Sequence, residues 1–527
     1  FAVTLLAMTA GGRLAHAEDA TASAEAADAA PGLIQSIDAM FSRAVEISAG
    51  YLFYDFGSGM PLIVMWLIAG AVFFTLRMGL INVRAFRHAL DVVRGKFDNP
   101  QEKGEVTHFQ ALTSALSATV GLGNIAGVTI AVTMGGAGAV FWMLLAGFFG
   151  MTSKFVECTL AQMYRRVNED GSVSGGPMIY LRDGLAEMRM KPMGRFLGIL
   201  FAILCVGGCL GGGNMFQANQ SLSLIAATVG ETTGVDVTGL AWIYGLLLAG
   251  LVGAVIIGGI RRIGQATSKI VPLMCGVYIA ASLLIIVSNA SLIPALLWQI
   301  VTEAFTGTAA AGGLVGVLVI GVQRAVFSNE AGVGSAAIAH AAAKTKEPVR
   351  EGIVAMMGPF IDTIVICLMT ALVVLITGVT SDPAHAGIEG AALTSRAFGS
   401  VISWFPIVLT IAVFLFAFST MISWSYYGEK AWEHLFGRGT NLVFKALFLV
   451  CVFIGSVVNL GAVLTFTDIM ILCMAFPNIL GCVLLSGKVK RALADYWSRY
   501  QAGEMEVQIE IPRPILPNIL SEDSVTS

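Results

Sequence analysis

Three glycines, Gly121, Gly123 and Gly127, break into one apolar stretch, Ser117-Ala118-Thr119-Val120-Gly121-Leu122-Gly123-Asn124-Ile125-Ala126-Gly127. Glycine removes side-chain cover and raises the entropic cost of staying helical, so the backbone there can open and present its carbonyls and amides. In hydrocarbon such groups are costly unless protein, water or a ligand satisfies them. A second small, Gly-rich stretch follows far downstream: Phe305-Thr306-Gly307-Thr308-Ala309-Ala310-Ala311-Gly312-Gly313. Opened backbone with hydroxyls and no dense charge suits a dipolar ligand and a monovalent cation rather than bond-making chemistry.

The elements that must hold these stretches are membrane helices. The chain has 527 residues, 56% hydrophobic and only 12% charged, about half the charge of an ordinary soluble domain. Its mean hydropathy is +0.80. Net charge is −3, and no basic block with interleaved aromatics points to nucleic acid. Runs of about 20 apolar residues, enough to cross ~30 Å, number about eleven. They fall near 59–81, 108–134, 138–164, 195–229, 238–259, 269–288, 293–325, 353–378, 402–427, 441–460 and 464–486. The eight cysteines all sit in apolar runs and read as packing residues; Cys205 and Cys209 lack further ligands for a metal. The six histidines lie mostly in loops or at span ends, so neither catalysis nor metal binding through histidine is expected, and no cofactor is implied.

Residues 1–17 end in Leu14-Ala15-His16-Ala17, a pattern that suits signal-peptidase cleavage. Residues 18–58 are expected to form a periplasmic leader, partly disordered, because 18–31 are too polar to bury a core. Basic residues then mark every second loop: Arg84 to Lys103, Arg165 to Lys191, Arg261 to Lys269, Arg324 to Arg350, Lys430 and Arg438, and Lys488 to Arg491. This places the N-terminus outside and the C-terminus, with a tail over 487–527, in the cytoplasm. Division into one leading helix (59–81), five spans (108–288) and five more (293–486) makes the two halves inverted. The two Gly-rich stretches then open corresponding helices of the halves, the arrangement that places a substrate site between inverted repeats in secondary transporters. One such stretch alone reads as ordinary close helix packing; the pair favours a binding site.

Other residues have chemistry to offer. Ser419, Thr420 and Ser423 precede Trp424, and hydroxyls without nearby carboxylates suit a monovalent cation that must leave again. Hydroxyls in membrane helices also bond to their own backbone, the plainer alternative. Intramembrane acids are functional candidates by default: Glu303 precedes the second stretch by about one turn, Asp362 lies mid-span after Gly358-Pro359, and Asp468 begins the last span. Glu157 is expected to pair with Lys154. Glu330, beside Ser328 and Asn329, is placed at a cytoplasmic gate.

Several long motifs resemble the alanine or glycine:cation symporter family, the bacterial sodium:alanine symporters. They are His108-Phe109-Gln110-Ala111-Leu112-Thr113, Val120 to Val128, Gly135 to Met143, Gly213 to Gln220, and Phe327-Ser328-Asn329-Glu330-Ala331-Gly332-Val333-Gly334-Ser335 onward to Ala341. The similarity covers about residues 50–490. Ala137 departs from it, standing where the family's Gly-Gly-Pro-Gly turn has proline.

The resemblance implies an all-α fold similar to the amino-acid and neurotransmitter sodium symporters and Na⁺-coupled import of a small neutral amino acid across the bacterial inner membrane. It implies a substrate carboxylate against amides at Gly121 and Gly123, with Thr119 and Asn124 close by, and an ammonium against carbonyls at Thr306, Gly307 and Thr308. Phe216, Gln217 and Trp424 would bound the substrate, although Phe216 and Gln217 read equally as core packing and an interhelical bond. Na⁺ would sit among Ser117, Val120, Ser419, Thr420 and Ser423. Proton coupling through Glu303 or Asp362 and a glutamine preference are the alternatives. A channel fits less well because the two breaks are dissimilar, and an enzyme least, because no nucleophile with a base and no paired catalytic carboxylates occur.

Overall fold

The computed structural model describes residues 50, 52, 54, 55, 57, 59–306, 313–385, 388, 390–457 and 469–505. The expected signal segment, nearly all of the leader, Gly307, Thr308, Asp468 and the end of the tail lie outside the described residues.

The first helix, α1 (Leu62–Arg77), follows Pro61 and packs on later helices, with Trp66 Nε1 donating to the Ala475 carbonyl at 3.3 Å. A short amphipathic helix, α2 (Phe86–Val93), follows. A reciprocal cap then starts α3 (His108–Thr119): the Thr107 hydroxyl accepts from the Gln110 amide while the Gln110 side chain accepts from Thr107. The chain breaks at Val120 and Gly121 and resumes as α4 (Leu122–Gly135), bent by 43° from α3. The long helix α5 (Gly138–Tyr164) comes next. A two-residue hairpin, Arg166–Val167 with Val173–Ser174, leads to α6 (Pro177–Glu187).

Helices α7 (Lys191–Leu210) and α8 (Phe216–Thr233) are continuous through a widened π turn at Gly211–Met215. They are followed by α9 (Ala241–Ile256) and α10 (Gly259–Ser288). Within the expected seventh span the described residues form α11 (Ile293–Thr306) and α12 (Gly313–Asn329), and α12 is followed by the five-residue α13 (Ala336–His340). Pro348 opens α14 (Pro348–Ala355), which runs through a second π segment, Phe360–Cys367, into α15 (Leu368–Thr377). The last elements are α16 (Gly390–Val401), α17 (Phe405–Phe436), α18 (Asn441–Val457) and α19 (Ala475–Gln501).

Seven described helices are long and apolar enough to cross a bilayer, and the bent pair α3–α4 makes an eighth; four apolar helices, Leu62–Arg77, Ala241–Ile256, Ala290–Thr306 and Gly313–Asn329, are shorter. Exposed Leu246, Leu247, Val287, Trp298 and Leu442 form an apolar exterior, as lipid contact requires. Inside, α4 packs against α12, and α3 against both α13 and α17. Two interrupted helices therefore lie side by side at the centre, with α17 across the first.

Candidate functional site

At the first interruption Gly121 is extended, with φ −160° and ψ −150°. Its N–H donates to Asn124 Oδ1 at 3.1 Å, and Asn124 N–H donates back to the Gly121 carbonyl at 3.1 Å. The first turn of α4 is thereby fixed with its amide end toward the break, where helix donors lack intrahelical partners. A Cβ on Gly123 would lie 3.0 Å from the Phe327 carbonyl oxygen, so glycine there lets the two interrupted helices meet backbone to backbone.

A facing interruption lies at 330–335, after α12; most of the expected stretch 305–313 lies outside the described residues. Glu330 has φ +53°, and Gly332 and Gly334 have φ +88° and +91°. The α-helix cannot continue through such a sequence of left-handed conformations. Asn478 Nδ2 donates to the Gly332 carbonyl at 2.8 Å and to Glu157 Oε1 at 2.9 Å, while the Ser335 hydroxyl donates to Glu330.

A cavity of about 240 Å³ opens between the two interruptions. Thr119, Gly121 and Gly123 line it from the first broken helix, and Arg324, Phe327 and Glu330 from the second; Phe216, Gln217, Thr420 and Trp424 complete the wall. Gln217 Nε2 donates to the Gly212 carbonyl at 3.1 Å, exposed by the π turn, while its buried Oε1 has no hydrogen-bond partner. The Trp424 indole rests on Gly213, where any Cβ would approach Cγ to 2.4 Å.

Beside the cavity, α3 and α17 exchange hydroxyl-to-carbonyl bonds. Ser117 Oγ donates to the Ser419 carbonyl at 2.5 Å, and Thr420 Oγ1 donates to the Ser117 carbonyl at 3.0 Å. The Ser419 hydroxyl turns away, toward the Phe416 carbonyl and Met274 Sδ. Buried Ser423 Oγ has no hydrogen-bond partner. These uncharged oxygens, with Val120 at the adjoining break, fit a weakly held Na⁺ in their chemistry.

Behind the cavity, Asn124 Nδ2 donates to Ser328 Oγ at 3.1 Å and to Asp362 Oδ1 at 3.0 Å. The Ser328 and Thr363 hydroxyls also donate to Asp362 Oδ1, whereas its buried Oδ2 has no hydrogen-bond partner. Both interruptions are thus joined through one carboxylate.

Other expected positions lie elsewhere. Thr306 ends α11, exposed, its hydroxyl bonded to its own helix at Thr302. Neighbouring Phe305 packs edgewise on Phe141 and Trp142. Glu303 does not line the cavity: its Oε2 accepts from the Ala137 N–H at 2.9 Å and its Oε1 from Gln299, so it ties the α4–α5 turn to α11. Asn214 anchors the π turn by donating to the Phe448 carbonyl. Glu157 takes its hydrogen bond from Asn478 rather than from Lys154, whose buried Nζ makes none. Arg324, counted among the loop cations, is within α12 on the cavity wall, and Glu330, expected at a cytoplasmic gate, lines the cavity. The glycines after Glu330 are the signal that marks this second break in the sequence.

The profile of the sodium:alanine symporter family matches residues 50–510. The chain belongs to that family. The sodium/alanine symporter AgcS of Methanococcus maripaludis is 41% identical over 430 residues, covering 81% of this chain and 92% of AgcS. The probable sodium/glutamine symporter GlnT of Bacillus subtilis is 34% identical, covering 84% of this chain and 89% of its own. In fold, the chain is similar to MhsT, solved in complex with L-phenylalanine, with a TM-score of 0.53 at 13% identity over 73% of this chain and 89% of that one. As a member of the sodium:alanine symporter family the protein is a multi-pass membrane transporter for cation-coupled amino-acid movement, not an enzyme.

Proposed function

We propose that this protein imports a small neutral amino acid, alanine, glycine or both, with Na⁺ across the bacterial inner membrane by alternating access. The observation that carries this reading is the single cavity wall made by both interruptions, with the Ser117–Thr420 oxygens directly beside it. The first-turn amides of α4 favour the substrate carboxylate, and the carbonyl end of α12 with Glu330 favours its ammonium. The second role passes from Thr306–Thr308 to Phe327–Glu330. Phe216 and Trp424 limit the side chain, which suits a methyl group or hydrogen. Na⁺ is held by the Ser117 and Val120 carbonyls and the Thr420 hydroxyl, with Ser423 one turn further along α17. No other cofactor is needed.

Among the described residues we assign eleven crossings: α1, then α3–α4, α5, α7–α8, α9 and α10, then α12–α13, α14–α15, α17, α18 and α19. The second set of five starts with α12 and inverts the first. The basic residues support an N-out, C-in orientation because contacts gather many of them at one end of the bundle. Arg165 donates to the Lys103 and Thr345 carbonyls, Arg350 to that of Phe97, and Arg499 to Glu347.

In proteoliposomes, inward Na⁺ is expected to drive alanine uptake, and Li⁺ or choline is not; uptake undiminished without Na⁺ overturns the sodium assignment. Competition by amino acids of both hands tests the substrate. Glycine or an alanine isomer should inhibit, and inhibition by glutamine alone moves the assignment to glutamine. Proton coupling is the second reading, favoured by the unpartnered buried oxygen of Asp362.

A further inference from the structure

We propose that Glu351 is a positioning residue of the inner gate, a carboxylate that clasps the inner halves of both interrupted helices and must let one go for substrate to leave. This rests on the transport reading above. His108 Nδ1 hydrogen-bonds Glu351 Oε2, and His340 Nδ1 hydrogen-bonds Oε1 at 2.5 Å. All three side chains are buried, at 1%, 1% and 0% exposure. His108 is the first residue of α3, the inner half of the first broken helix. His340 is the last of α13, the inner half of the second. Glu351 belongs to neither; it sits in the first turn of α14.

A carboxylate with one oxygen on each ring accepts two Nδ1–H donors, so the proton on each Nδ1 is held toward Glu351. His108 Nε2 is buried without a hydrogen-bond partner, so the Nδ1 bond is the ring's polar anchor. Backbone pairing continues the closure. The Glu105 N–H donates to the Ala342 carbonyl at 2.8 Å, and the Lys344 N–H to that of Val106 at 2.8 Å. Arg165 and Gln162, at the end of α5, donate to carbonyls of Ala341 and His340 in the same segment.

The cavity lies at the two interruptions, where α3 ends and ahead of the start of α13. Opening toward the clasp requires α3 and α13 to part, and no separation keeps both histidines on one carboxylate. Broken helices allow it, because each inner half is hinged at its own break, Val120–Gly121 or Glu330–Ser335. Glu351 touches neither the cavity wall nor the Ser117–Thr420 pair, so its loss is expected to change the gate while leaving binding intact.

The test uses the full chain in proteoliposomes, measuring Na⁺-dependent alanine binding, Na⁺-driven uptake, and hydrogen exchange over 108–119 and 336–343. Glu351→Gln turns one acceptor into a donor against an Nδ1–H. It is expected to cut uptake about tenfold while binding affinity stays within about threefold, and to raise exchange in both segments together. His108→Asn places an amide N–H near the former Nδ1 and is expected to keep uptake, whereas His108→Ala behaves like Glu351→Gln. Should Glu351→Gln not fold, His108→Ala and His340→Ala carry the same comparison. Parallel loss of binding and uptake, or exchange that rises in one segment alone, overturns the clasp. If the wild type moves no amino acid with Na⁺, the transport reading fails instead. The exchange arm, which needs no substrate, still decides whether Glu351 couples the two half-helices.

Discussion

Asn124 and Asp362 join the two interruptions: Asn124 Nδ2 lies 3.0 Å from Asp362 Oδ1 and 3.1 Å from Ser328 Oγ, while Asn124 Oδ1 caps Gly121. A movement of either broken helix is therefore felt at the carboxylate. Asp362→Asn keeps the shape but replaces a buried carboxyl group that the Asn124 amide and Ser328 hydroxyl both reach. The half-saturating Na⁺ concentration is expected to rise about tenfold, equivalent to ~1.4 kcal/mol, with Na⁺ dependence retained. Uptake driven by a pH gradient in the wild type and lost in Asp362→Asn would transfer coupling to the proton.

The contacts between α3 and α17 separate two adjacent hydroxyls. Thr420 Oγ1 reaches the Ser117 carbonyl, whereas Ser419 meets Ser117 through its own carbonyl and turns its hydroxyl away. Thr420→Val keeps the volume and removes the oxygen, so half-saturating Na⁺ is expected to rise about tenfold or more, the weight of one lost ligand oxygen. Ser419→Ala is expected to change it less than about twofold. Equal effects on Na⁺ titrations of uptake would mean that the cation does not sit on this face of α17.

The first interruption was legible because three glycines, Gly121, Gly123 and Gly127, crowd into one short piece of an apolar span. The break at 330–335 was missed because 305–313 has the denser run of small residues and drew the reading there, whereas this break depends on Glu330 adopting a left-handed backbone. Composition cannot show which interruption finds a partner; packing of α4 on α12 decides that. Glu303 looked functional for its nearness in sequence to the small-residue run, yet its carboxylate faces the α4–α5 turn. The histidine clasp was invisible for a different reason: His108 and Glu351 stand 243 residues apart, and nothing local to either announces the other.

That turn makes a further prediction. The Ala137 N–H donates to Glu303 Oε2 at 2.9 Å. Proline has no such donor, although the Ala137 φ of −61° would accept it. Ala137→Pro and Glu303→Gln are each expected to cost about 1.5–3 kcal/mol, the worth of a hydrogen bond to a charged acceptor. Both should lower the melting temperature in detergent by a few degrees while leaving the half-saturating alanine and Na⁺ concentrations unchanged. A change in Na⁺ dependence would return Glu303 to the coupling machinery.

Outside the membrane helices, α2 carries a titrating group whose effect has a definite sign. His88 is buried, with Nε2 2.6 Å from the Tyr496 hydroxyl of α19. Burial, reinforced by the Arg350 guanidinium, pushes its pKa down from 6.5 to about 4. The folded protein favours the neutral ring, so between these values the unfolded chain binds more protons. The stability this site contributes is complete above pH 6.5 and is lost as pH falls toward 4, amounting to about 3 kcal/mol over the window. Gln at 88 puts an amide near the Nε2 position and does not titrate. Melting temperatures in detergent should fall for the wild type between pH 7 and pH 4.5 and fall measurably less for His88→Gln. Identical slopes would show that acid acts elsewhere, and that the α2–α19 contact tolerates a charged ring.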